Sequence, residues 1–167
     1  MMYEFPALEA EFTQGDSIDV CPILSWTNLQ SSDSTQWELG QSKERIIVLT
    51  QACDLANAKT TKVQVAIVHD AQRLVQAQIL KPAQIRDQVR MHRVFGLYFL
   101  PECNPAFSES IVDLRDIHTV PRQLLDGLCK LQKQIARIPT PYREHMAQHF
   151  AVTFSRIALP EPYNTVG

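Results

Sequence analysis

The stretch KERIIVLTQACDLANAKTTKVQVAIVHD, residues 43–70, decides the fold. Ile46 to Leu49 form an unbroken, β-branched apolar run, the pattern of a central strand covered on both faces. After a polar connection, Val63, Val65 and Ile67 alternate with Gln64, Ala66 and Val68, which predicts a second strand antiparallel to the first. Upstream, GDSIDVCPIL (15–24) opens on a Gly-Asp turn signal. It then sets Ile18 and Val20 on one face of a strand expected to stop at Pro22. TNLQSSDSTQWELGQS (27–42) reads as a polar, exposed loop.

Downstream, the pattern turns helical. DAQRLVQAQIL (70–80) carries helix formers behind Asp70 as N-cap, and Pro82 suits the first turn of AQIRDQVRMHR (83–93). VFGLYFLP (94–101) and SIVDL (110–114) read as two more strands, with Pro101 and Pro105 in the loop between them. Val120, Leu124, Leu128, Leu131, Ile135 and Ile138 recur every three or four residues, the stripe of an amphipathic helix. Thr140 and Pro141 then start a second helix with Met146, Phe150, Phe154 and Ile157 on one side. The predicted architecture is α+β in a single domain spanning 1–167. It comprises a small, bent antiparallel β-barrel over 12–114 with a helical insertion near 70–93, closed by a helical hairpin over 120–158.

Composition narrows the function classes. The chain has 167 residues, an ordinary apolar share and a formal net charge of −2, which argues against a generally nucleic-acid-binding surface and leaves only a local basic patch open. No apolar run approaches the roughly 20 residues of a membrane span, and the acidic N-terminus lacks the basic region of an export signal. A cytoplasmic location without membrane contact is expected. Cys21, Cys53, Cys103 and Cys129 are spread out with no C-x-x-C pair, as befits free thiols. With five glycines and no G-x-x-x-x-G-K-[ST], G-x-G-x-x-G or G-x-S-x-G, the usual nucleotide and hydrolase motifs are missing, and no cofactor is expected.

The exit of the first apolar run, VLTQACDL (48–55), presents a thiol beside a carboxylate. Strand alternation puts Gln51 and Cys53 on one face and turns Asp54 away. Three readings stay open. Cys53 is a nucleophile, with Asp54 and His145 as the other catalytic candidates; or it is a metal ligand together with His145 and His149; or it is a buried core residue while Asp54 caps a turn. His145 and His149, at i and i+4, share a helical face and could chelate, although Glu144 precedes the first histidine and the H-E-x-x-H pattern is absent. Arg143 either lies on a solvated face or reaches across a cleft to a carboxylate or phosphate. Gln51, Cys53, Asp54, Arg143 and His145 are therefore the candidate binding set. His118, among Asp113, Arg115, Asp116 and Arg122, reads as part of an ion-pair network.

VLTQACDL, IVDLRDIHTVP (111–121) and TPYREHMAQHFAVTFSRIALP (140–160) occur in the same order in a group of small bacterial proteins of unassigned function, which the chain resembles over most of its length. QGDSIDV (14–20) with the strands that follow is also similar to the opening of PemK/MazF-like, SH3-type barrels. Here Lys43-Glu44-Arg45 replaces the basic Arg-Pro pair of that family, and a helical extension follows. This second resemblance implies a barrel and, as an activity, RNA processing. The leading expectation is a binding or adaptor module acting through a protein partner or a second copy of itself. An enzyme or zinc protein built on Cys53 and histidines is the alternative.

Overall fold

The computed structural model describes residues 2–30, 32–57 and 60–155, with the backbone alone at position 34. The frame is one antiparallel sheet of six strands: β1 (Asp16–Thr27), β2 (Glu38–Val48), β3 (Lys62–Asp70), β4 (Leu97–Leu100), β5 (Ser110–Pro121) and β6 (Gln134–Arg137). Their spatial order is β4-β5-β3-β2-β1-β6. The helices are α1 (Ala52–Ala56), α2 (Ala71–Gln76), α3 (Pro82–Gln84), α4 (Arg122–Lys130) and α5 (Tyr142–Phe154), with a π-helical turn at Ile85–Val89 continuing α3. Among the described residues, no helix is long and apolar enough to cross a membrane.

The alternation read in the central strands sorts side chains onto two faces. Ile47, Ala66, Val68, Tyr98, Leu100, Val112 and Leu114 face one core, which Met146 of α5 and Tyr3 complete. Ile46, Val48, Val63, Val65 and Ile67 face the other, covered by Leu125 and Leu128 of α4. At the β4 edge a smaller cluster joins Leu97, Phe99 and Ile111 to Ala71, Ile85 and Val89. Asp70 caps α2 as expected, its carboxylate accepting from Arg73 N at 2.9 Å, and Pro82 occupies the first turn of α3.

The sheet bends as expected but does not close into a barrel. β1 and β5 are three strand spacings apart, about 14 Å in a flat sheet. Yet Ile23 shares a core with Val120 and Leu125, so the sheet curls round α4. Closure fails because the edge strands β4 and β6 pair with β5 and β1 and not with each other.

The helical hairpin is also corrected, because α4 ends at Lys130 and a strand, β6, follows before α5. Gln132 adopts φ +58, its N–H donates to Cys129 O at 2.8 Å, and Lys133 N–H donates to Leu128 O at 3.0 Å. These are the paired bonds of a left-handed helix stop, a position usually held by glycine. Ile135 and Ile138 continue the helical spacing by coincidence. Ile138 and Ala136 are buried against the first core. The residue Ile157, expected on the apolar side of the last helix, lies outside the described residues.

β1 does not stop at Pro22. An extra residue between Ile18 and Cys21, with Val20 at φ +54, forms a bulge, after which β1 runs on to Thr27. Pro22 is tolerated because, past the bulge, β1 has a ladder partner on one side alone. Its partner β2 begins at Glu38, inside the stretch expected to be loop.

Candidate functional site

At the exit of β2 the chain turns straight into α1. Gln64 N–H donates to Thr50 Oγ1 at 2.7 Å, which ends the ladder, and Ala52 begins the helix. Leu55 is buried in the second core and its carbonyl accepts from Arg122 Nη1 at 2.8 Å. Asp54 sits in the first helical turn, where a negative charge is favoured. Cys53 is exposed, contrary to the expectation of a core cysteine, whereas Cys21 and Cys103 are buried. Its Sγ lies 3.7 Å from Gln51 Oε1 and 3.9 Å from Asp54 Oδ1.

The histidine candidates gather elsewhere. Arg143 approaches the exit of β2 from the side of Gly15. The Gly15 N–H donates to Val48 O at 2.9 Å, and a Cβ at this φ +86 glycine would stand 3.4 Å from Arg143 Cγ. The Arg143 guanidinium is held by Glu144 Oε1 at 2.9 Å and Thr140 Oγ1 at 3.2 Å. His145 instead meets Tyr98, whose hydroxyl lies 3.0 Å from His145 Nδ1. The His92 ring stands 4.7 Å from that of His145, 4.9 Å from Tyr98 and 6.0 Å from His149. The imidazoles thus converge on Tyr98 and not on Cys53. His118 pairs with Asp116 at 3.2 Å and Arg115 with Asp113 at 2.7 Å, as two local pairs along β5.

Electrostatics follow from burial. Tyr98 is 1% exposed, and burial pushes its phenol up to about 12, so it stays protonated at neutral pH. A buried hydroxyl left without an acceptor costs about 1–3 kcal/mol. The phenol therefore donates to Nδ1, which leaves Nε2 as the N–H of the His145 ring. Burial also holds His92 and His149 below the usual histidine range, with the neighbouring imidazoles adding to the effect. His92 Nδ1 and His149 Nε2 are buried with no hydrogen-bond partner among the described residues.

Beside this cluster opens a cavity of about 710 Å³. His92, Tyr98 and His145 form part of its wall, Arg90 and Glu109 another, and Met2, Pro101, Pro141 and Tyr142 supply apolar surface. Arg90 is ion-paired with Glu109 and lies 4.9 Å over the Phe99 ring. Sequence spacing pointed to His145 and His149. Nothing in it linked them to His92 or Tyr98, which arrive from a turn and from β4.

A second surface lies on the β1–β2 arm. Beyond the bulge β1 pairs with β2 alone, and β2 meets β3 only over Ile46–Val48, so residues 21–27 and 38–44 form a two-stranded ribbon. Trp26 pairs with Leu39 and Leu24 with Gln41, which sets these side chains on one face, and Trp37 lies just before the start of β2. Trp26 is 62% exposed, and Leu24, Leu39, Trp37 and the tip residue Leu29 are exposed as well. The opposite face carries Ser25, Thr27, Glu38 and Ser42 toward the tip, and toward the root Cys21 and Ile23, which are buried in the second core.

Among the described residues no group of three or more His, Cys, Asp or Glu side chains is arranged to hold a metal ion, including the candidates Cys53, His145 and His149. No protein-family model matches the chain, and no curated protein matches it.

Proposed function

We propose that the chain is a protein-binding module whose docking element is the apolar face of the β1–β2 arm. The observation that carries this reading is the ribbon with Leu24, Trp26 and Leu39 on a single exposed face, and with Trp37 exposed just before β2. An isolated two-stranded ribbon is marginal in water, and tryptophan is the residue most enriched in binding hot spots. Apart from Lys43, which pairs with Pro22 at its root, the face is uncharged, so its partner is a different protein offering an apolar groove without a strong positive charge. With Leu29 the five side chains expose roughly 500–600 Å², below the ~800 Å² each half of a stable complex buries. That favours transient engagement of a partner over permanent self-association.

The test is co-purification from the source cell with the wild type and with Trp26→Glu, followed by affinity measurement between purified chains. A partner whose affinity falls at least about tenfold with Trp26→Glu supports the reading. Identical capture by both proteins, or a stable wild-type dimer in sedimentation that Trp26→Glu dissolves, overturns it. Catalysis or zinc binding at Cys53 and RNA processing by the sheet gain no comparable support. Among the described residues, the groups within hydrogen-bond reach of the Cys53 thiol are Gln51 and Asp54.

A further inference from the structure

We propose that the cavity beside His145 binds a planar, largely apolar monocarboxylic acid, its carboxylate against His145 Nε2 and its body among Pro101, Pro141 and Tyr142. The site is separate from the arm. A volume of about 710 Å³ accommodates a small organic molecule, and apolar walls with a few fixed polar groups are the usual make-up of such sites. The Tyr98 hydroxyl fixes the tautomer and the tilt of His145, so the ring offers an N–H donor without reorganisation. An acceptor on the ligand, and not a donor, is what that N–H recognises.

Charge selects the acceptor. Arg90 contributes a cation to the wall, and its pairing with Glu109 makes that wall close to neutral. A single negative charge can bridge His145 and the outer donors of Arg90, since a guanidinium has five N–H groups and one carboxylate engages only part of them. A dianion such as a phosphate monoester would meet Glu109 with Arg90 the one arginine among the described lining residues, and would lose strong hydration against proline and tyrosine. Behind His145, the buried and unpartnered nitrogens of His92 and His149 leave capacity for hydrogen bonding that the fold itself does not use.

The experiment follows the histidine ring protons of the full chain by NMR while indole-3-acetate is added. The expected result is saturable movement of the His145 and His92 signals. Binding should be at least tenfold weaker for indole-3-acetamide, no tighter for phenyl phosphate, and at least tenfold weaker in His145→Gln. His145 is exposed, so this variant should keep its fold. Tyr98→Phe, which retains the ring, gives a second reading and should weaken binding severalfold. No movement with indole-3-acetate up to ten millimolar overturns the proposal. So does equal binding of the amide, tighter binding of phenyl phosphate, or wild-type affinity in His145→Gln. Micromolar zinc alone shifting all three rings would reassign the cluster to a metal.

Discussion

Asp16 and Arg137 join the first residue of β1 to the last of β6, with Arg137 Nε 2.6 Å from a carboxylate that is fully buried. The second oxygen accepts from Gln134 Nε2 at 2.5 Å, Thr13 N–H at 2.8 Å and Arg137 Nη2 at 2.9 Å. Every donor comes from the chain around one strand pair, so this carboxylate fastens the edge strand that sequence periodicity concealed. Removing one member of such a pair leaves the other desolvated. Asp16→Asn should lower unfolding free energy by about 2–3 kcal/mol, less than for a fully buried partner, because Arg137 keeps some access to water. Urea denaturation measures this, and an unchanged midpoint would refute it.

The arm makes the opposite stability prediction. Trp26 packs on its neighbour across the ribbon and is otherwise exposed, so Trp26→Glu should change stability by no more than about 0.5 kcal/mol while abolishing partner binding. A large fall in the thermal midpoint of the variant would show that the ribbon is part of the folding unit.

Thiol chemistry separates the four cysteines. Burial raises Cys21 to about 11, and burial with Asp16 and Asp126 nearby raises Cys129 to about 11, so at pH 8 both are almost wholly protonated. Cys103 is buried and shifted the same way. A disulfide reagent should therefore titrate one thiol rapidly in the native protein, and Cys53→Ser should remove that phase. The remaining three should react only on unfolding, and two fast thiols would contradict this.

The histidine cluster predicts how stability varies with pH. His92 and His149 are held below their unfolded value of about 6.5, so the unfolded chain binds more protons in the window just beneath it. Their contribution is complete above about pH 6.5 and is lost as pH falls through their folded values. Unfolding midpoints should drop as pH falls from about 6.5 toward the range in which the lowered carboxyls of Asp70 and Asp113 titrate. His92→Gln should flatten that slope. A midpoint independent of pH over this interval would count against the cluster's burial.

Much of the sheet was legible because the central strands obey one rule at a time. Alternation over residues 63–68 and the apolar run at 46–49 fixed pairing and faces, and Asp70 and Pro82 announced helix starts. What escaped were places where a residue took a backbone conformation that its type does not advertise. Gln132 ends α4 in the left-handed region without being glycine, and the bulge at Val20 carries β1 through a proline. The histidine site was half legible. The i, i+4 spacing named His145 and His149, but the tyrosine that orients one of them lies 47 residues away, a relationship carried by the fold alone.

The bulge before Cys21 acts as a frame setter. Because side chains alternate, one surplus residue swaps which flank of everything beyond it looks outward. Excising Val20 would roll Leu24 and Trp26 toward the flank now occupied by Cys21 and Ile23, with composition otherwise unaltered. Length changes at the ribbon's far loop leave this phase intact, whereas a single-codon deletion at its root inverts it.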